Sequence, residues 1–555
     1  MAETFTAEER GLLARYFTDL NGDVFALTGL PEVVKGALFA RYSRSSKSLR
    51  RLFLEEFAPG LTGDEEFAPE LPGDDAPAAA TSEQGIGVER AQRLYERVLT
   101  EYGDDSVAQL GGAHVAVEGA SNLLTKQLER GRLAAYLEQS TRYVAYDDKP
   151  GGRYRYHRDP DVLSGRHAAA YIEHLDAIFD TYAALLPQVL DWVRTRYPAT
   201  DAASERAWRS ATKAKALDVL RGLLPAATTS NVGIFASGQA YEALLLRLHA
   251  SELAEAGTCY AALLRELRKV IPSFLTRIDR PARGGAWSAY LRATRADTRT
   301  LADHVLGEVA PAPVEEVTLV DWSPRDPGAA EVQLVAAMLY PHANLPEEQL
   351  LGVARSMGAD ERRQVIDAYV GERRNRRHKP GRAFERLWYR FDVLGDYGAF
   401  RDLQRHRMLT IDWQDLTTRH GYETPREIEE AGVADRWHQA LERSAALYEQ
   451  LLADHPAQAQ YAVCFAYRTR YVMQLNARAA MHLIELRSSP QGHPSYRRVV
   501  QQMHRLIADV AGHTAVADAM VHVDHGSAEL ERLDAERRAD VRRQQRNVGA
   551  GSPSR

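Results

Sequence analysis

The residues most suited to chemistry sit in two short strips. Residues 129–144, ERGRLAAYLEQSTRYV, set Arg130, Arg132 and Arg142 beside Glu129, Glu138, Ser140, Tyr136 and Tyr143, with no continuous apolar face. Guanidinium groups next to hydroxyls and backbone amides suit a planar anion such as phosphate, or a uracil-like ring with carbonyl acceptors. A charged helix end laced by local ion pairs is the blander alternative. The second strip, residues 404–415 (QRHRMLTIDWQD), places Arg405 and Arg407 around His406. A histidine bracketed by two arginines should resist protonation, because like charge disfavours the cation. Two basic runs, RYRYHR at 153–158 and RRNRRHK at 373–379, could touch nucleic acid, but solvated faces or the rim of a nucleotide site suit a chain of acidic balance better. His522, Asp524 and His525 have a spacing too unspecific to assign a metal. No glycine-rich phosphate loop follows a strand, so neither a Rossmann nor a P-loop site is expected.

The elements that must aim these strips occur twice. Residues 113–119 (AHVAVEG) alternate as a strand does and run into a helical stretch with Leu123, Leu124, Gln127 and Leu128 on one side. Residues 387–395 (LWYRFDVLG) alternate likewise and lead into DYGAFRDLQRHR, where Asp396 is placed to cap a helix. Both helices end on Arg-x-Arg. Residues 471–487 (YVMQLNARAAMHLIELR) read as one helix and the run from Tyr496 as the next, with Pro490, Gly492 and Pro494 between them and Ser495 near the second start. Residues 239–271 are the first-half counterpart. Upstream, residues 23–43 and 317–341 each pass from a short strand-like run into a helix. A repeat of several hundred residues indicates a duplicated domain, not a solenoid.

The whole chain agrees with a folded enzyme. Its 555 residues suggest roughly three or four structural units, or fewer large ones. A net charge of −6 argues against a nucleic-acid coat or a polybasic membrane binder. No apolar run approaches the roughly eighteen residues that a spanning helix needs, and the acidic start does not resemble a signal peptide, so a cytoplasmic protein is expected. Cys259 and Cys464, far apart, exclude a disulfide framework and any CxxC site. The expected divisions are a first copy over 1–285, with an acidic loop at about 58–87, a linker region at 286–316, a second copy over 317–525 and a charged tail at 526–555.

The strip 117–144 resembles the signature of the flavin-dependent thymidylate synthases, Arg-His-Arg followed by Glu-x-Ser-x-Arg-Tyr. The first copy keeps the second part as Glu138, Ser140, Arg142 and Tyr143, and has Gly131 where the family has His and Ala135 where it has Ser. The second copy keeps Arg405, His406 and Arg407, with Thr410 in the Ser position, and loses the rest to Trp413, Asp415, Thr417 and Thr418. The family's Asn-Ala-Arg and its Leu-Arg helix end appear as Asn476, Ala477, Arg478, Leu486 and Arg487; the first copy has Ser237, Gly238, Gln239 and Leu248, with Arg247 one residue off. The Arg before Leu-Pro is matched by Arg221 and not by Gln460, the Gln before Arg-x-Arg by Gln127 and not by Asp402, and the flavin-facing glutamate by Glu385 and not by Gln109.

The resemblance implies two tandem α+β domains, helix-rich overall, each a sheet packed with helices. It implies FAD as cofactor, NADPH and methylenetetrahydrofolate as co-substrates, and methylation of a dUMP-like nucleotide at uracil C5. Arg142, Ser140 and Glu138 would serve the ring, and Gln127, Arg221 and Arg487 the nucleotide. Arg405, His406, Arg407, Asn476, Arg478 and Glu385 would hold the flavin. Losses in one copy are kept in the other, so one composite site from both copies is expected, with a homodimer mimicking the family's tetramer. A catalytically silent flavin- or nucleotide-binding homologue, or the same chemistry on a different uridine nucleotide, are the alternatives.

Overall fold

The computed structural model describes residues 4–23, 25–42, 45, 47–58, 109–199 and 205–527. The acidic loop beyond Ala58 and the tail beyond Ser527 lie outside the described residues. By contact the chain forms two compact units, Met1–Glu118 with Gly131–Glu138 and Asn231–Glu308, and Gly119–Arg130 with Gln139–Ser230 and Val309–Arg555. The second unit therefore gathers much of the first copy's sequence together with the whole of the second copy.

The same sheet order appears twice. Strands β1 (Gly112–Ser121), β2 (Ala134–Glu138) and β3 (Thr229–Ser237) run β1-β3-β2, and β4 (Val317–Ser323), β5 (Trp388–Asp396), β6 (Thr410–Trp413) and β7 (Arg468–Asn476) run β4-β5-β7-β6. Leaving β4 aside, each copy has its first strand beside its third and its third beside its second. β2 pairs antiparallel with β3 from Ala134 opposite Ala236 to Glu138 opposite Val232, and β6 pairs with β7 from Thr410 opposite Gln474 to Trp413 opposite Tyr471. Alternation explains the core of the second sheet: Tyr389, Phe391 and Val393 of β5 turn inward with Tyr471, Met473 and Leu475 of β7. The fold is the expected helix-rich α+β arrangement of two copies.

Each strand that feeds the site strips stops on a short polar residue that caps the next helix. Ser121 Oγ accepts from Leu124 N at 3.0 Å and Asp396 Oδ1 from Ala399 N at 2.9 Å, starting the helices Asn122–Leu128 and Tyr397–Gln404. Ser237 and Asn476 do the same for Gly238–His249 and Ala477–Arg487. Such a cap satisfies an amide that the first helical turn leaves open and fixes where the strand ends.

Several expectations change. Residues 471–476 belong to β7 and not to a helix, because Tyr471, Met473 and Leu475 keep period two up to the Asn476 cap. The strip 129–144 is not a charged helix end: its middle is β2. Among the described residues 23–30 no strand forms, only an isolated bridge of Leu27 with Phe17. The region 286–316 is helical over Ala286–Leu306.

Both basic runs are partly tied into the fold. In RYRYHR, Tyr154 and Tyr156 are buried and stack on Phe179, with their hydroxyls donating to Asp180 and Asp176. In RRNRRHK, Arg373 turns inward and forks onto both Glu485 oxygens at 2.6 Å, while Arg374 stays exposed beside Glu372. Removing one partner of a buried pair leaves the other charge unmet. Arg373→Ala should therefore destabilise the chain by about 3–5 kcal/mol, and Arg374→Ala by under about 0.5 kcal/mol, in urea unfolding; equal effects would refute the assignment.

Candidate functional site

The second unit holds a cluster of arginines around two buried carboxylates. Asp402, on the last turn of the helix Tyr397–Gln404, is the centre. Its Oδ2 accepts from Arg221 Nη1 at 3.2 Å, its Oδ1 accepts from Arg405, and Arg487 Nη1 stands 3.5 Å from Oδ1. Arg487 Nη2 also donates to the Asp402 backbone carbonyl at 2.5 Å. Burial alone would push this carboxyl up, but Arg405, Arg487, Arg221 and Arg142 outweigh it and hold it well below the usual carboxylate range. Arg142 forks onto Asp218 with both bonds at 2.6 Å, and donates to Tyr496 Oη at 3.2 Å and the Gln491 carbonyl at 3.0 Å. Burial likewise works against the Asp218 carboxylate, and Arg142 more than reverses it. Tyr496 links the two groups, since the Arg487 guanidinium lies 5.4 Å from its ring centre.

Beside this cluster opens a cleft of about 290 Å³. Arg405, His406, Arg407, Asn476, Arg478, Glu385 and Arg487 line it, together with Lys379 and His482. Asn476 spends its Oδ1 on the helix cap at 2.8 Å, so its amide donors are the part suited to a ligand. Arg478 Nε donates to the Pro380 carbonyl, and its Nη1 lies 3.5 Å from Glu385. His406 Nε2 accepts from Arg487 Nε at 2.9 Å, which requires a neutral ring with its proton on Nδ1. Burial first, then Arg487, His482 and Arg405, push its pKa well below the ordinary value. The lining is strongly cationic and carries one carboxylate, a donor set that fits the pyrophosphate of a dinucleotide flavin.

The structure thus brings Arg142, Arg221, Arg405, His406 and Arg487 together, and joins Arg407, Asn476, Arg478 and Glu385 to them around the cleft. Ser140 Oγ accepts from the Arg142 backbone amide at 3.2 Å, supporting that arginine from its own turn. Gln127 is half-buried beside the fully buried Lys126–Glu129 pair. Glu138 is buried at the end of β2, in the first unit. At Gly131, which stands at the histidine position of the first copy, a Cβ would meet Tyr136 Oη at 2.5 Å, so a side chain there would require Tyr136 to move. Sequence reading missed Asp218, Tyr496 and His493, and took Asp402 for a mere departure from Gln. Only Asp402, an acid three residues before Arg-x-Arg on a helix face, carried a usable signal.

His522, Asp524 and His525 diverge: Asp524 meets Arg497 at 3.2 Å and His525 meets His504 at 3.1 Å. Among the described residues no group could hold a metal ion. Burial pushes Cys259 and Cys464 up to about 12, which leaves neither poised as a nucleophile.

His493 also stays neutral. It accepts from Ser495 N on Nδ1 and donates from Nε2 to the Asp218 carbonyl at 3.2 Å, and burial, then Arg221, hold its pKa well down. Unfolded histidine titrates near 6.5, so as pH falls the unfolded chain takes up protons first. The contribution of His406 and His493 is full above about pH 6.5 and is lost below it, at up to about 1.4 kcal/mol per pH unit each. Asp396, raised by burial, acts with the opposite sign. Thermal unfolding of His493→Gln should therefore fall less steeply than wild type between about pH 7 and 5; parallel slopes would refute a neutral His493.

A family model described as thymidylate synthase complementing protein (Thy1) matches residues 67–273 and 318–512. A UPF0159 protein of Chlamydia pneumoniae is 38% identical over 541 residues, 97% of this chain and 98% of its own length. One from Chlamydia muridarum is 37% identical, covering 96% of this chain and 98% of its own length. One from Thermoplasma acidophilum is 30% identical, covering 92% and 99%. Among solved structures, the UMP/dUMP methylase PolB from Streptomyces cacaoi bound with 5-Br dUMP is 20% identical with a TM-score of 0.29, covering 37% of this chain and 94% of that chain. Thymidylate synthase X from Helicobacter pylori with FAD and dUMP is 20% identical with a TM-score of 0.27, covering 37% and 99%. No helix among the described residues is long and apolar enough to cross a membrane. Matched over more than half its length, in two segments that correspond to its two copies, the chain belongs to the Thy1 family of thymidylate synthase complementing proteins as a tandem duplication.

Proposed function

We propose that this chain is an FAD-dependent methylase of the uracil ring, with chemistry of the dUMP-to-dTMP type, working at one composite site per chain. The observation that carries the reading is the meeting of the two copies: Arg142 with Arg487 at Tyr496, and Arg221 with Arg405 and Arg487 at Asp402. Each copy alone lacks half of these groups. A flavin, when bound, supplies the redox chemistry that draws on NADPH and turns a folate-borne methylene into a methyl. Arg405, Arg407, Arg478 and Asn476 would hold it, with neutral His406 presenting a ring in place of a further positive charge.

The chain's own task is to bind, orient and stabilise charge. Uracil C5 attacks an electrophilic carbon when negative charge can build on the ring carbonyls, and its proton must then leave. Arg142 is the group proposed to face that charge, a preorganised donor whose direction is set by Asp218 and Tyr496. The motif around Ser140 holds no His base, and Ser140 serves as support, not as a nucleophile. On this reading a dimer of the chain would hold two such sites.

Purified protein should carry a flavin absorbance, and NADPH should bleach it at a rate that responds to an added uracil compound. Arg142→Ala should keep the flavin and lose that response, while also losing about 3–5 kcal/mol of stability because Asp218 is left unpaired. Bound flavin with no response in the wild type would favour the silent homologue. Loss of flavin from the variant at a temperature where it is folded would overturn the division of labour.

A further inference from the structure

The guanidiniums that a substrate phosphate would need already meet an anion of the protein's own. Arg221, Arg405 and Arg487 converge on Asp402, and both Asp218 oxygens occupy Arg142. The Ser140 hydroxyl is likewise turned to a backbone amide. At the equivalent position of the first copy stands Gln127, an uncharged amide able to donate a hydrogen bond; Asp402 can only accept. It is buried and close to the C-terminus of its helix, where the backbone adds partial negative charge.

We propose that the Asp402 carboxylate takes the place of a substrate phosphate, so that the site selects a uracil nucleoside over its 5′-monophosphate. The inference rests on the flavin-dependent uracil reading above and changes its acceptor from a dUMP-type nucleotide to the nucleoside. A phosphate dianion seated on Arg221 and Arg487 would lie against a fixed carboxylate sharing the same donors, in an interior where charges are poorly screened. Like charges so placed reject a ligand that the remaining contacts would accept. A neutral nucleoside meets no such penalty, and the ring-facing role of Arg142 does not depend on phosphate.

The test is a titration of the flavin-loaded protein at pH 8 with 2′-deoxyuridine, uridine, dUMP and UMP, read by flavin fluorescence and calorimetry. Wild type should bind the nucleosides at least about tenfold more tightly than the monophosphates, and Asp402→Gln should shift that ratio toward the monophosphates by about tenfold or more. Asp402→Glu, which keeps the charge, should retain the wild-type order. A wild type that prefers the monophosphates, or an Asp402→Gln variant with an unchanged ratio, overturns the proposal and leaves the flavin-dependent reading standing. Should neither class of ligand bind to protein that holds flavin, the reading of function falls and this inference with it. The wild-type comparison decides even if Asp402→Gln does not fold.

Discussion

One buried carboxylate organises the centre of this molecule. Three guanidiniums crowded together in a low-dielectric interior would repel one another, and each would lose its hydration. Asp402 makes their convergence tolerable by giving each a charged contact within 3.5 Å, and it is itself kept ionised by them. Arg221 comes from the first copy, and Arg405 and Arg487 from the second. One electrostatic bond between the copies is therefore also part of the geometry of the candidate site. Asp218 repeats the arrangement on a smaller scale with Arg142.

Duplication explains why such an arrangement was open to the chain. Two identical copies would each need every group; two unlike copies can divide them. The first copy has Gly131 at its histidine position, facing the Tyr136 hydroxyl, and keeps Arg142 and Arg221. The second keeps His406, Asn476 and Arg487 and lets the Ser-x-Arg stretch decay. His406 shows how strongly context sets the chemistry of the surviving half. Accepting from Arg487, it can be neither a cation nor a proton donor from Nε2.

Much of this was legible in the sequence, and the failures have physical reasons. Period-two alternation located β1 and β5, and Asp396 announced its cap, because both signals are local. The β7 segment was mistaken for helix because Met473 and Leu475 join an apolar helix without a break, and only the cap at Asn476 marks the change. The arginine strips pointed to anion chemistry and the resemblance to a division between copies. Asp218, Tyr496 and His493 were invisible because what matters about them is proximity to Arg142 and Arg221 across long stretches of chain. Arg373 read as solvent-facing in a run of basic residues, yet it is buried on Glu485, a partner no spacing rule could have named.

Asn476 holds two posts at once, with its oxygen closing the first turn of Ala477–Arg487 and the rest of its amide at the cleft wall. Its counterpart Ser237 retains the first post alone. Scaffold and recognition are thereby separable at a single position: a lineage can shed the ligand-facing half of a residue without disturbing the joint it closes. That separability lets a copy keep its joint after the ligand-facing amide is gone.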